Sequence, residues 1–221
     1  MATKIINGAL AVFVKTPEYS PIKTRLAAQI GKTKALAIYN AMLHVAAAVM
    51  RTVQAHGIAV WWAVAEEKAL AHPRWKEFPT MHSGQGGLGS RLHHVYSTLQ
   101  AQYGRVALIG SDCPQMSATA VAEALNLARK NTVIGPSQDG GFYLFAAARD
   151  IPANVWLDVA YSRDDTLTQL LRALDDTTTR LPILTDIDDT DSLHVATKKL
   201  RHADLLEQRK LAEVLTNIKQ V

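Results

Sequence analysis

Three basic residues crowd into one short stretch, KTPEYSPIKTRL at 15–26, where Lys15, Lys23 and Arg25 stand around Pro17 and Pro21 with Glu18 the only acid. Lysine and arginine share the charge of a polyphosphate well, arginine through a two-pronged guanidinium. Prolines restrict such a loop, so less entropy is lost when it closes on a ligand. The same composition also suits a solvated positive turn. Acids gather further along. GSDCP at 110–114 places Asp112 directly after an apolar run. A carboxylate there can hold Mg²⁺ or Mn²⁺, which take hard oxygen ligands and often bridge to phosphate, or it can simply satisfy turn amides. TDIDDTDSL at 185–193 holds Asp186, Asp188, Asp189 and Asp191. Asp186 and Asp188 point the same way on an extended chain, so this loop can offer a second metal ligand, and Asp191 is the expected cap of the next helix. A fully solvated set is the other reading.

Two glycine-rich segments add backbone. GPSQDGGFYL at 135–144 flanks Asp139 with Gly140 and Gly141, which permits close approach of a ligand or a tight reversal between strands. QGGLG at 85–89 is either a lid or a nest for phosphate oxygens. Cys113 has no specified histidine partner and reads as a small packed residue, and the 8 histidines show no ligand spacing.

The elements around these segments explain their placement. Short apolar runs at 9–14, 58–65, 105–110, 132–135 and 142–148 read as strands, and RLPILTDID at 180–188 as a strand with its exit loop. Ile38, Met42, Val45, Val49 and Val53 recur at helical spacing within 33–54, with Gly57 beyond the end. Further helices are expected at 90–103, at 118–130 behind an N-cap at Ser117, at 164–174, and from Asp191 to the end of the chain. Strand and helix alternate, which predicts one α/β domain over 1–221 with a mostly parallel, mixed central sheet. In such sheets ligands sit beyond the carboxyl ends of the strands, where four of the five unusual segments lie.

Composition narrows the function classes. With 221 residues and 48% hydrophobic content, the chain can build an ordinary core. One cysteine rules out an intrachain disulfide and fits a reducing cytoplasm. No stretch approaches the ~20 apolar residues of a membrane span, and the alanine-rich segment around AAAVM, broken by His44 and Arg51, reads as a core helix. The net charge of +4 is spread along the polar faces of late helices, without a helix-turn-helix or zinc-finger pattern, so nucleic acid is not the expected partner.

KTPEYSPIKTRL, QGGLGSRL, GSDCPQM, GPSQDGGFYL and LPILTDIDDTDSL occur in the order seen in the DUF2064 group, and on these motifs the chain resembles that family over nearly its whole length. Its members are also described as GT-A-like, selenodomain-associated or arsenosugar-biosynthesis transferases. More distantly the chain is similar to the molybdenum-cofactor and phospholactate guanylyltransferases. The resemblance implies a GT-A (nucleotide-diphospho-sugar transferase) Rossmann-like fold and a transferase that needs Mg²⁺ or Mn²⁺. Its partners would be a nucleotide or nucleotide-sugar donor and a small-molecule acceptor. It also implies that Lys15, Lys23, Arg25, Ser111, Gly140 and Gly141 bind phosphate, that Asp112 and Asp188 bind metal, and that Asp139 acts as the base for an acceptor hydroxyl. The chain departs from the family pattern at Ser20, Gly87, Asp189 and the YSRDD segment after Ala160. Glycosyl transfer is the first expectation, nucleotidyl transfer with release of pyrophosphate the second, and a non-catalytic nucleotide-binding module the third.

Overall fold

The apolar run ALAVFV forms β1 (Ala9–Val14), an interior strand of a seven-stranded sheet. Successive side chains alternate across a strand, so Leu10, Val12 and Val14 enter one core while Ala9, Ala11 and Phe13 face the other. Only a strand covered on both faces needs apolar residues at every position. The computed structural model describes residues 8–174, 177–201, 203 and 205–218.

Parallel partners flank β1 on either side, β2 (Ala59–Val64) and β4 (Val106–Gly110), and β3 (Thr80–His82) extends the β2 edge. Beyond β4 the order continues through β6 (Phe142–Ala147), β5 (Thr132–Pro136) and β7 (Thr178–Arg180). Only β6 runs against the others, pairing antiparallel with both β4 and β5. The sheet is therefore mixed and mostly parallel, as the alternation of elements predicts.

Helices α2 (Lys32–Ala55) and α4 (Ala118–Leu127) cover the face that receives Leu10 and Val12. Helices α3 (Leu88–Tyr103), α5 (Ala153–Leu157) and α6 (Thr166–Leu174) cover the other, around an aromatic cluster of Tyr96, Phe145 and Trp156. A third apolar layer joins α1 (Thr24–Ile30) and the front of α2 to α7 (Thr190–Leu200) and α8 (Leu206–Ile218). Ile187 is fully buried in that layer, a contribution of about 2 kcal/mol for such a side chain. It thereby anchors the acidic loop on whose flanks Asp186 and Asp188 stand.

Several expectations are corrected. In RLPILTDID, expected as a strand with its exit loop, the strand lies earlier, as β7; beyond it the Leu181 N–H donates to the Ile134 carbonyl at 2.8 Å and Leu184 bridges to Ser137. The C-terminal helix is two helices, α7 and α8, and the last three positions of the expected helix lie outside the described residues. Asp189, not Asp191, caps α7, accepting from the backbone N–H of Ser192 at 2.8 Å. Helix α2 is long and apolar enough to cross a membrane by length and composition, contrary to the sequence reading. Its buried residues instead pack on the sheet and against α8. α1, β3 and α5 are too short to leave a periodic signal in the sequence.

Gly89 permits the close seating of α3 on α5, since a β-carbon there would lie 2.2 Å from the Trp156 carbonyl oxygen. Gly89→Ala is expected to lower the unfolding free energy by about 2 kcal/mol or more, read as a lower urea midpoint. Gly87→Ala, with open space around the added carbon, is expected to leave the midpoint within about 0.5 kcal/mol of wild type.

Candidate active site

Thr16, the second residue after β1, is fully buried and fixes the start of the basic loop. Its N–H donates to Glu66 Oε2 at 2.9 Å, and its hydroxyl accepts from the Trp75 indole at 3.2 Å. One residue earlier, the Tyr39 hydroxyl on α2 accepts from the Lys15 N–H at 3.0 Å and donates to the Lys15 carbonyl at 2.8 Å. Burial pushes the Tyr39 phenol well above its ordinary range, so it stays protonated and keeps both bonds. The Lys15 side chain is left exposed on the wall of a cleft of about 870 Å³.

The loop ends at Lys23, which precedes α1 in the left-handed conformation (φ 45°, ψ 46°). Its side chain is only 3% exposed, and Nζ lies 2.7 Å from Asp112 Oδ1 and 3.0 Å from Asp188 Oδ1. Arg25, 71% exposed, donates to the other oxygen of Asp188 at 2.7 Å. Burial alone would depress the Lys23 ammonium, but attraction to Asp112 and Asp188 outweighs it and raises the group above its ordinary value. Lys23 therefore remains charged at neutral pH.

The two carboxylates come from loops far apart in sequence that share one backbone bond, the Ile187 N–H donating to the Asp112 carbonyl at 3.0 Å. The Ser192 hydroxyl receives the N–H groups of both Asp188 and Asp189 at 3.0 Å, which sets the direction of Asp188. Asp186 does not share that direction. It accepts from the buried Cys113 thiol instead, because the loop is irregular rather than an extended strand. Burial lifts the Asp186 carboxyl to about 6; the thiol opposes this, while Asp139, Asp112 and Asp188 add to it. Burial and the Asp186 charge in turn push the Cys113 thiol well above its usual range.

Of the residues marked in the sequence, Lys23, Arg25, Asp112 and Asp188 are in direct contact, and Lys15 and Ser111 line the same cleft. The Asp139–Gly141 turn does not line it. Asp139 Oδ1 accepts from the Ser137 hydroxyl and from the Gly141 N–H at 3.0 Å, closing the reversal between β5 and β6. Gly140 (φ 88°) has the Asp164 carbonyl oxygen 2.0 Å from where its β-carbon would stand, so its glycine serves the packing of this turn on the segment before α6. Asp139 is thus committed to its own turn, and the sequence reading of it as a base rests on the motif alone.

Sequence reasoning missed four residues of the cleft wall: Tyr39, Ser83, Arg91 and Ser162. Arg91 on α3 donates to the Gly86 and Ala65 carbonyls at 3.1 and 3.3 Å and to the Ser83 hydroxyl at 3.1 Å, so it is held rigidly beside the glycine-rich turn. Its position in QGGLGSR, one turn into a helix, was the available signal. Tyr39 sits within the apolar stripe of α2 and looks like core. Ser162 and Lys23 are the two non-glycine residues with positive φ among the described residues, and both line the cleft. Strain of this kind concentrates where the surroundings impose a geometry.

Among the described residues no group of three or more His, Cys, Asp or Glu side chains is arranged to hold a metal ion. Two carboxylates are nevertheless a fitting partial set, since Mg²⁺ commonly takes one or two and completes its shell with phosphate and water. The Lys23 ammonium between Asp112 and Asp188 shows that their geometry accepts a cation.

Sheet order and loop placement define a mixed, mostly parallel α/β fold with its cleft beyond the strand ends. The chain belongs to the family described as "Uncharacterized protein conserved in bacteria (DUF2064)", whose model matches residues 45–163. It is similar to a candidate nucleotide-diphospho-sugar transferase from Desulfovibrio desulfuricans G20, at 22% identity over 97% of each chain with a TM-score of 0.82. It also resembles a cytidylyltransferase from Leptospira borgpetersenii serovar Hardjo-bovis (strain JB197), at 12% identity over 97% of this chain and 94% of that one, with a TM-score of 0.54. A third likeness is to Rv0371C from Mycobacterium tuberculosis H37Rv in complex with manganese, at 14% identity over 86% of this chain and 96% of that one, with a TM-score of 0.50. No curated protein sequence matches the chain.

Because the folded Asp186 carboxyl holds its proton up to about 6, while an unfolded aspartate releases it near pH 4, the folded state binds more protons across that window. Its stability contribution therefore falls as pH rises from about 4 to about 6. Asp186→Asn keeps an acceptor for the Cys113 thiol and removes the titration. Its stability relative to wild type is expected to increase by about 2 kcal/mol between pH 4 and pH 7, measured by urea unfolding in EDTA. An equal difference at both pH values would contradict the placement.

Proposed function

We propose that the protein is a divalent-metal-dependent transferase that acts on a nucleotide sugar and moves the sugar to a small acceptor. The observation that carries this reading is the meeting of Lys23, Asp112 and Asp188, from three loops, with Arg25 from the first turn of α1, in a cleft of about 870 Å³ beyond the carboxyl ends of β1 and β4. A cleft of that size holds a nucleotide-sized ligand.

In this reading Lys15, Lys23 and Arg25 bind the diphosphate and stabilise the charge that grows on it as the sugar leaves. Asp112 and Asp188 are the residues that would hold Mg²⁺ or Mn²⁺, which supplies charge stabilisation at the phosphate oxygens. Asp186 lines the cleft with a carboxyl titrating at about 6, close to the operating pH that suits a base. It is better placed than Asp139 to take a proton from an acceptor hydroxyl. Arg91, held by the Gly86, Ala65 and Ser83 contacts, lines the same cleft.

Nucleotidyl transfer is the second reading, favoured by the cation count of the first loop and by the likeness to a protein named as a cytidylyltransferase. The pairing of Lys23 and Arg25 with acids already present weakens the charge argument for a triphosphate, because part of that positive charge is neutralised inside the protein.

Thermal shift against nucleoside triphosphates and nucleotide sugars, with and without Mn²⁺, tests both readings. Glycosyl transfer predicts stabilisation by a nucleotide sugar and release of nucleoside diphosphate once an acceptor is added. Pyrophosphate release from a triphosphate would establish the second reading, and no shift with any nucleotide would remove both. Asp112→Asn is expected to fold normally and lose at least about tenfold in metal-dependent nucleotide affinity, a difference of about 1.4 kcal/mol. Unchanged affinity in that variant would exclude Asp112 as a metal ligand.

A further inference from the structure

The side chain best suited to phosphate is engaged in this structure with the carboxylates best suited to metal. Lys23 Nζ contacts one oxygen of Asp112 and one of Asp188, with the side chain 3% exposed. Water has little access to this ammonium, so the two carboxylates are its principal solvation. A dication bound to the same oxygens would bring like charges together in a site where screening is weak. The ammonium and the metal are therefore competitors for Asp112 and Asp188.

We propose that Lys23 is an internal counter-ion that blocks the Asp112–Asp188 pair against divalent cations until polyphosphate draws its ammonium away, so that metal and nucleotide enter together. The inference rests on the metal and phosphate roles assigned under the proposed function. Three features of the loop support it. The backbone of Lys23 lies in the left-handed region (φ 45°, ψ 46°), a conformation that costs a non-glycine residue energy and that its surroundings must impose. The four-carbon stem carries three rotatable donors and can exchange partners without movement of the loop, whose start is tied down at Lys15 and Thr16 by Tyr39, Glu66 and Trp75. Arg25 reaches the second oxygen of Asp188 from an exposed position, so it too can turn towards an incoming phosphate and free the carboxylate.

The test is a titration with Mn²⁺ alone, followed by the electron paramagnetic resonance signal of the free aquo ion. Lys23→Met, which keeps the stem and removes the charge, is expected to bind Mn²⁺ at least about tenfold more tightly than wild type, equivalent to about 1.4 kcal/mol. Adding Asp112→Asn to that variant is expected to abolish the gain. Circular dichroism checks the fold, and Lys23→Gln, which keeps a donor for the carboxylates, takes its place with the same expected direction if the methionine variant does not fold. A folded variant that binds Mn²⁺ no better than wild type overturns the proposal. So does a gain that survives Asp112→Asn. The titration contains no nucleotide, so its outcome is separate from the transferase reading. That reading fails if wild type is stabilised by no nucleotide or nucleotide sugar, whatever Mn²⁺ does.

Discussion

A buried ammonium is tolerable only if the fold supplies counter-charge, and Lys23 has that supply from Asp112 and Asp188 at 2.7 and 3.0 Å. Much of the architecture near the cleft follows from meeting this condition. β1 and β4 must be neighbours so that the loop after one reaches the loop after the other. The late acidic loop must cross the same edge, which Ile187 achieves by burying its side chain among the helices and giving its N–H to the Asp112 carbonyl. Of the three, only the ammonium is desolvated; Asp112 and Asp188 are 45% and 30% exposed, so either acid can be lost while the other still faces Lys23.

The framework of this fold is written in its apolar runs. β1, β2, β4, β5 and β6 lie within a residue or two of the stretches that suggest them, because a strand buried on both faces must be apolar throughout. α2 is legible for the related reason that Ile38, Met42, Val45, Val49 and Val53 all face the core. The pieces that escape are short or irregular. β7 carries Thr178–Arg180, no apolar run at all, and is recruited by pairing with β5 at the sheet edge. Of the apolar residues of LPIL, which mimic a strand, Leu181 and Leu184 pack on the sheet core beyond the end of β7, while Ile183 is exposed.

The candidate site was legible in its charges and illegible in its contacts. Composition marks Lys23, Arg25, Asp112 and Asp188, but no spacing rule says that the ammonium would lie between two acids rather than free in a cleft. The DGG segment leaves two readings open in the sequence. Glycines permit both ligand approach and tight packing, and only the position of the Asp164 carbonyl over Gly140 distinguishes them. Arg91 and Ser162 carry no motif weight alone. Their significance comes from the turn beside one and the positive φ of the other.

The bond between Ile187 and Asp112 has a consequence for how such a chain can vary. It ties the loop after β4 to the loop before α7, so a change of backbone shape in either displaces a carboxylate held by the other. The two segments are distant in sequence yet inherit their geometry jointly. A recombinant that takes one from this chain and the other from a relative would join well-formed halves whose acids no longer converge. The crossover points that preserve the cleft are those that carry both loops from one parent.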